Sequence, residues 1–214
     1  MTDDLGETYD RIAAHFAATR EYAWPEVESF LAGREGRRAL DLGCGNGRHA
    51  EVLADHAETV VGFDLSRGLL TEARSRAADR GFDAHLVQGD AAELPFRDDR
   101  FDLAVYVATI HHLRPRSRRL ASLDELARVL APGGRAVVSA WATVHDRFAG
   151  DETADAGFDT HVDWTLPGGE TVPRFYHIYA PSEFRADLDA SGLALVDAFV
   201  SSGNCYAVVG PASD

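Results

Sequence analysis

The stretch Ala39-Leu40-Asp41-Leu42-Gly43-Cys44-Gly45-Asn46-Gly47 decides the fold. It reads as a short apolar strand that ends on an acid and runs into three alternating glycines. Glycines at such a turn let the backbone bend sharply and approach a ligand closely, where a Cβ would collide. A helix is expected to open at about Asn46, with its free N–H groups and positive dipole end facing whatever lies over the loop. The pattern is a nucleotide-type cradle, and it can be parsed in two ways. Gly45-x-Gly47-x-x-Ala50 satisfies a dinucleotide-binding fingerprint, with Asp64 about twenty residues on as a ribose ligand. Asp41 favours a different parse. A pyrophosphate gains nothing from a carboxylate at the turn, whereas an ammonium is neutralised by one.

Outward from the turn, strand and helix signals alternate from 37 to 141, as expected of a parallel sheet with crossover helices. Thr59–Asp64 is a second apolar strand ending in an acid, placed to accept ribose hydroxyls. Leu86–Asp90 is a third and Phe101–Val107 a fourth; Leu130–Gly134 is a turn before a fifth over 135–140. Singly, each acid reads as a solvated strand end or a helix cap. Asp41, Asp64 and Asp90 on successive strand ends are harder to dismiss, because ligands of open α/β sheets collect at those ends.

These landmarks resemble motif I and the following strands of the class I S-adenosylmethionine (SAM) methyltransferases. The resemblance implies a Rossmann-like α/β fold, with a seven-stranded, mostly parallel sheet and helices on both faces. It implies SAM as cofactor, held by Asp41, Gly43, Gly45, Asp64, Asp90, Ala91 and Ala108, with Asp90 and the Ala91 N–H at the adenine.

At 214 residues the chain suits one well-buried α/β domain. We expect residues 1–36 to form helices capping the cofactor pocket and 37–214 to form the core. Within 8–33 two helices are expected, the second starting near Trp24-Pro25 with proline in its first turn. Residues 146–173, rich in Asp, Gly and Thr, read as an irregular insertion. A short strand at 174–179 follows, then a helix over 182–191 capped by Ser182, and strands at 193–200 and 204–209 that close the sheet as an antiparallel hairpin. Cys44 and Cys205 form no metal-ligand or disulfide pattern, so no metal is expected. No apolar run approaches the roughly 18 residues of a membrane span, and a soluble cytoplasmic protein is expected. The net charge is -14, all 21 basic residues are arginine, and Asp exceeds Glu. Such a surface suits a high-salt cytosol, where the Debye length is only about 3 Å and locally placed arginines outweigh net charge. The acidic balance therefore argues only weakly against an RNA substrate.

The acceptor must be read from other residues. The block Tyr9-Asp10-Arg11-Ile12-Ala13-x-His15-Phe16-x-x-Thr19-Arg20-x-x-x-Trp24-Pro25 resembles the start of the eukaryotic tRNA wobble-uridine methyltransferases and of the methyltransferase domain fused to an AlkB homologue. The likeness continues through Ala108-Thr-Ile-His111-His112, Arg118-Arg119, Ser139-Ala-Trp141-Ala142 and Arg174-Phe-Tyr176-His177-x-Tyr179. It implies esterification of 5-carboxymethyluridine at tRNA position 34, with a small zinc-binding activator protein as partner. The third strand is a sheet edge in this fold, so the activator is expected to add a strand at 84–88. The acidic insertion at 146–173 departs from the basic surface that RNA binding would favour.

Esterifying a carboxylate from a sulfonium needs no general base, because the nucleophile is already ionised near neutral pH. It needs close in-line placement and cationic partners in two-point geometry. Arg20 and Arg174 are the candidate clamp; His111 or His112 adds a hydrogen bond while the other packs or caps, with His111 favoured for the site and His112 for packing. Trp24, Trp141, Tyr176 and His177 are candidates to hold a splayed-out base, although either tryptophan could equally be a core residue. Arg118 and Arg119 read more readily as a solvated face than as phosphate contacts. Two rival functions share the SAM motifs: a small-molecule methyltransferase of the quinone-pathway type, and a non-enzymatic SAM-binding scaffold.

Overall fold

The computed structural model describes residues 3–148 and 156–212. Helices α1 (Asp3–Ala18) and α2 (Pro25–Leu31) precede β1 (Gly36–Leu42), which runs into the glycine turn. Then follow α3 (Arg48–Leu53), β2 (Ala57–Asp64), α4 (Arg67–Arg80), β3 (His85–Gln88), β4 (Phe101–Val107), α5 (Arg116–Val129) and β5 (Leu130–Trp141). The C-terminal part holds β6 (Phe158–Thr165), β7 (Thr171–Ile178), α6 (Pro181–Asp189), β8 (Leu193–Ser201) and β9 (Asn204–Pro211).

Seven strands form one sheet in the order β3-β2-β1-β4-β5-β9-β8. The first five strands pair parallel and β9 pairs antiparallel to both β5 and β8, so the expected closing hairpin is present. Alternation along each strand sorts the core onto two faces. Leu40, Leu42, Ala104 and Tyr106 pack under α5 and α6, while Ala39, Leu103, Val105 and Val107 pack against α2 and α3. The strand order reverses between β1 and β4, and the carboxyl ends there open the crevice where ligands of such sheets bind.

Three local expectations are corrected. Residues 158–178 are an antiparallel β6–β7 hairpin, paired from Phe158↔Ile178 to Thr165↔Thr171, rather than irregular chain; 149–155 of the expected insertion lie outside the described residues. In β6 Thr160, Val162 and Trp164 turn inward while Asp159, His161 and Asp163 stay exposed, the period-two alternation of a half-buried strand. Helix α6 is capped by Ala180 with Pro181 in the first turn, so Ser182 lies inside it. Proline takes that place because its missing N–H is not needed there. Of the two N-terminal helices only α1 lies over the crevice; α2 buries Val27, Phe30 and Leu31 in the core beside α3.

Candidate active site

A cavity of about 370 Å³ opens at the crevice. Its floor is the glycine turn and the ends of β2, β3 and β4, and its roof is α1, through Leu5, Tyr9, Arg11 and Phe16. The glycine turn is built for close approach. Gly43 has φ +75, and a Cβ there would lie 2.1 Å from Thr109 Oγ1; Gly45 has φ +53, and a Cβ there would touch the Phe16 ring at 3.8 Å. The Gly45 N–H donates to Asp64 Oδ2 at 2.8 Å, and Ser66 N–H donates to Oδ1 at 2.8 Å. Burial raises Asp64 to about 6. Opposite the turn, Ala108 holds φ 53, a left-handed conformation that is strained for a residue with a Cβ. Its N–H is tied to Ser139.

Of the predicted cofactor residues, Gly43, Gly45, Asp64, Asp90, Ala91 and Ala108 all line this cavity. Asp41 does not. It lies one layer below, 1% exposed, with Oδ2 lacking any hydrogen-bond partner and its carboxyl pushed up to about 7 by burial and by the nearby Asp64 charge. Arg118, read as solvated, instead pairs with Asp90 at the cavity wall. Arg116 pairs with Asp187, and Arg119 lies beside Glu183 and Asp187, so Arg116, Arg118 and Arg119 are all compensated from within the chain.

The predicted acceptor residues form a second group beside the cavity. Arg174 is 5% exposed, its Nη1 donates to the Tyr9 hydroxyl at 3.5 Å, its Nε has no partner, and no carboxylate pairs with it among the described residues. Its guanidinium lies over Trp164 (4.9 Å) and Tyr176 (5.2 Å). Arg20 reaches the same indole at 5.4 Å, and its pKa is lowered by burial and by the Arg174 charge. Trp141 stacks on Tyr176 at 4.8 Å. Arg20, Arg174, Trp141 and Tyr176 are therefore brought together.

Three members of the predicted set go elsewhere or exchange roles. His112, rather than His111, lines the cavity. His112 Nδ1 lies 2.8 Å from the Phe175 carbonyl, which can only accept, so Nδ1 carries the proton and Nε2 accepts from the Tyr9 hydroxyl at 2.8 Å. Burial lowers His112 to about 3. His111, 1% exposed, is held well below its ordinary value by burial; its Nδ1 accepts from Trp141 N–H at 3.0 Å and its ring packs on Tyr176. His177 lies on the opposite face of β7 from Tyr176, as period two requires, between Asp159 (2.7 Å) and Glu183 (3.0 Å). Trp24 packs edge-on against His49 and Tyr206, in the core.

The sequence reading missed Trp164, whose Nε1 donates to His15 Nδ1 at 3.0 Å and which carries both guanidiniums. It also missed the clasp of the hairpin on α1, completed by an Arg11–Glu170 ion pair. Among the described residues no group of His, Cys, Asp and Glu side chains is placed to hold a metal, and no helix is long and apolar enough to cross a membrane.

A doubly wound sheet with a glycine turn and acids at successive strand ends defines a class I methyltransferase architecture. The methyltransferase domain family matches residues 39–134. A putative methyltransferase of Encephalitozoon cuniculi is 35% identical over 94% of this chain and 92% of its own length. The tRNA (carboxymethyluridine(34)-5-O)-methyltransferase of Schizosaccharomyces pombe is 28% identical, over 89% of each. The Xenopus tropicalis protein of that activity is 39% identical over 64% of this chain, which spans only 20% of that longer relative. Among solved structures, the DhpI–SAM–HEP complex superposes with TM-score 0.74 at 22% identity, covering 99% of this chain and all of the other. A putative methyltransferase bound to the Haloferax volcanii Trm112 activator superposes at 0.71 with 18% identity, covering 98% of each chain. The chain belongs to the SAM-dependent class I methyltransferases.

Proposed function

We propose that this enzyme transfers the methyl group to the carboxylate of a 5-carboxymethyluridine at the tRNA wobble position, assisted by a small zinc-binding activator. The observation that carries this reading is the Arg20–Arg174 pair on Trp164, because Arg174 is buried without a counter-charge among the described residues. A desolvated guanidinium is costly unless an anion joins it, and a carboxylate fits it in two-point geometry. The curated relatives that act on carboxymethyluridine support the same acceptor.

The cradle fits SAM: the left-handed φ of Gly43 and Gly45 turns the chain tightly under the cavity, where a Gly43 Cβ would strike Thr109, and Asp41 Oδ2 is a buried acceptor in want of a cation. We assign Asp41, one layer below the lining, to the methionine ammonium as a buried counter-charge, Asp64 to the ribose hydroxyls, and Asp90 with the Ala91 N–H to the adenine; Gly43, Gly45 and Ala108 shape the wall. SAM supplies an electrophilic methyl carbon on a sulfonium, so an ionised carboxylate needs no base. The protein's work is then placement and drying. Arg20 and Arg174 orient the carboxylate, and α1 with the β6–β7 hairpin keeps water out. Trp141 and Tyr176, stacked on each other and covered by His145, His111 and His112, back the clamp rather than hold the base. Both histidines remain neutral. With a pKa of about 3, His112 is too weak a base for proton transfer and instead holds Tyr9 in place.

The activator is assigned the sheet edge at 84–88, where among the described residues β3 pairs with β2 alone and no strand lies on its other side. The solved pairing of a like-folded chain with the Haloferax activator supports such a partner. Nucleoside mass spectrometry of tRNA from cells with and without the gene tests the function. Loss of the carboxymethyluridine ester with the gene is expected; unchanged tRNA, with a small molecule losing its methyl group instead, would contradict it.

A further inference from the structure

The segment joining α1 to α2, residues 19–24, carries an exposed ring on a fixed backbone. Tyr22 is 80% exposed, the most exposed large apolar side chain among the described residues. Its loop is nonetheless tied down. The Arg20 carbonyl accepts from Asn46 Nδ2 (2.9 Å) and Arg76 Nη1 (3.4 Å), the Glu21 carbonyl from Arg76, and the Tyr22 carbonyl from Arg48 (3.4 Å). The loop's one carboxylate, Glu21, is taken up by Arg80. Arg48, whose guanidinium lies 5.2 Å from the Trp24 ring, has no carboxylate partner among the described residues. The acidic protein thus keeps a local surplus of positive charge around one solvent-facing phenol ring, two residues from the Arg20 of the acceptor clamp.

A lone exposed aromatic is ordinary on a protein surface. A pre-organised one, beside the guanidinium of Arg48 with Arg76 and Arg80 paired to Glu51 and Glu21 behind it, has the chemistry of single-stranded RNA recognition, in which bases stack on rings and cations meet the backbone. We propose that Tyr22 is a stacking platform for an unpaired base adjacent to the methylated nucleotide. The proposal rests on the functional reading above, and it makes Tyr22 a determinant of RNA binding that takes no part in the methyl-transfer chemistry.

Fluorescence anisotropy with a labelled anticodon stem-loop tests it, with unfolding temperature and SAM affinity as controls on the same proteins. Tyr22→Ala should weaken stem-loop binding about tenfold, and Tyr22→Trp should restore it, with both controls unchanged. If wild type binds and Tyr22→Ala binds equally well, the platform is overturned while the functional reading stands. If wild type does not bind the stem-loop at all, the functional reading falls and this inference with it.

Discussion

The Tyr9 hydroxyl donates to His112 Nε2 across 2.8 Å, tying α1 to a turn 103 residues further along the chain. The same hydroxyl oxygen accepts from Arg174, so one phenol links the roof of the cavity, its wall and the candidate clamp. Tyr9→Phe leaves His112 Nε2 and Arg174 without that partner in a buried site. It should cost about 1–3 kcal/mol of stability and lower methyl transfer more than SAM affinity. Chemical unfolding and steady-state kinetics check this; a variant matching wild type in both would show that the link is incidental.

Arg174 and Arg20 carry the acceptor argument, and the uncompensated charge of Arg174 makes an unusual pairing of effects. Replacing a buried, unpaired cation with an apolar chain of similar length removes a desolvation penalty. Arg174→Met should therefore keep or raise thermal stability and leave SAM affinity within about twofold, while kcat/KM falls by about a hundredfold or more. A variant that is both stable and active would remove Arg174 from the clamp.

Much of this site is legible in the sequence because its logic is local. The glycine turn, the acids at strand ends and Ala108 lie at positions fixed by β–α alternation, and the acids reach the crevice through topology alone. Contacts set by the insertion were not legible. Strand β6 does alternate, Phe158, Thr160, Val162 and Trp164 against Asp159, His161 and Asp163. Its one aliphatic residue, however, packs in a small cluster apart from the main core, and the surrounding Asp, Gly and Thr mask the pattern. Trp164 carries no signal of its role without the hairpin's register. His111 and His112 are neighbours in a single tight turn, and only the Phe175 carbonyl and Tyr9 reveal which one faces the cavity. His177 and Tyr176 are likewise adjacent, and period two sends them to opposite faces. Arg116, Arg118 and Arg119 look like a free patch in sequence because their partners Asp90, Glu183 and Asp187 come from distant segments.

Asp41 should give the stability a proton-linked term. Its folded carboxyl titrates at about 7 against about 3.9 unfolded. Between these values the folded chain holds a proton that the unfolded chain has released, so this group's contribution falls as pH rises from about 4 to about 7. Buried His49, His111 and His112, all lowered, act in the opposite sense, so the test is a difference. Relative to wild type, Asp41→Asn should gain stability across that window and level off above it. SAM binding draws on the ionised form and should tighten through the same range more steeply in wild type than in the variant, where Asp64, raised to about 6, still titrates. A pH-independent difference would show that Asp41 titrates normally.

Gly43→Ala tests the cradle. The new Cβ meets Thr109 at a left-handed φ, so both strain and collision act. The variant should lose about 1–3 kcal/mol of stability and most of its SAM affinity by calorimetry. Wild-type affinity would show that the turn does not touch the cofactor.

The central claim is that the acceptor is a carboxylate on an RNA base. Its most direct test is mass spectrometry of the nucleosides of an anticodon stem-loop bearing 5-carboxymethyluridine, after incubation with SAM, the enzyme and a purified activator. The account predicts one added methyl group, on the carboxymethyl ester and removable by mild base, absent with Arg174→Ala. A methyl group on a ring nitrogen or ribose oxygen, or an untouched stem-loop beside an active small-molecule transfer, would contradict it.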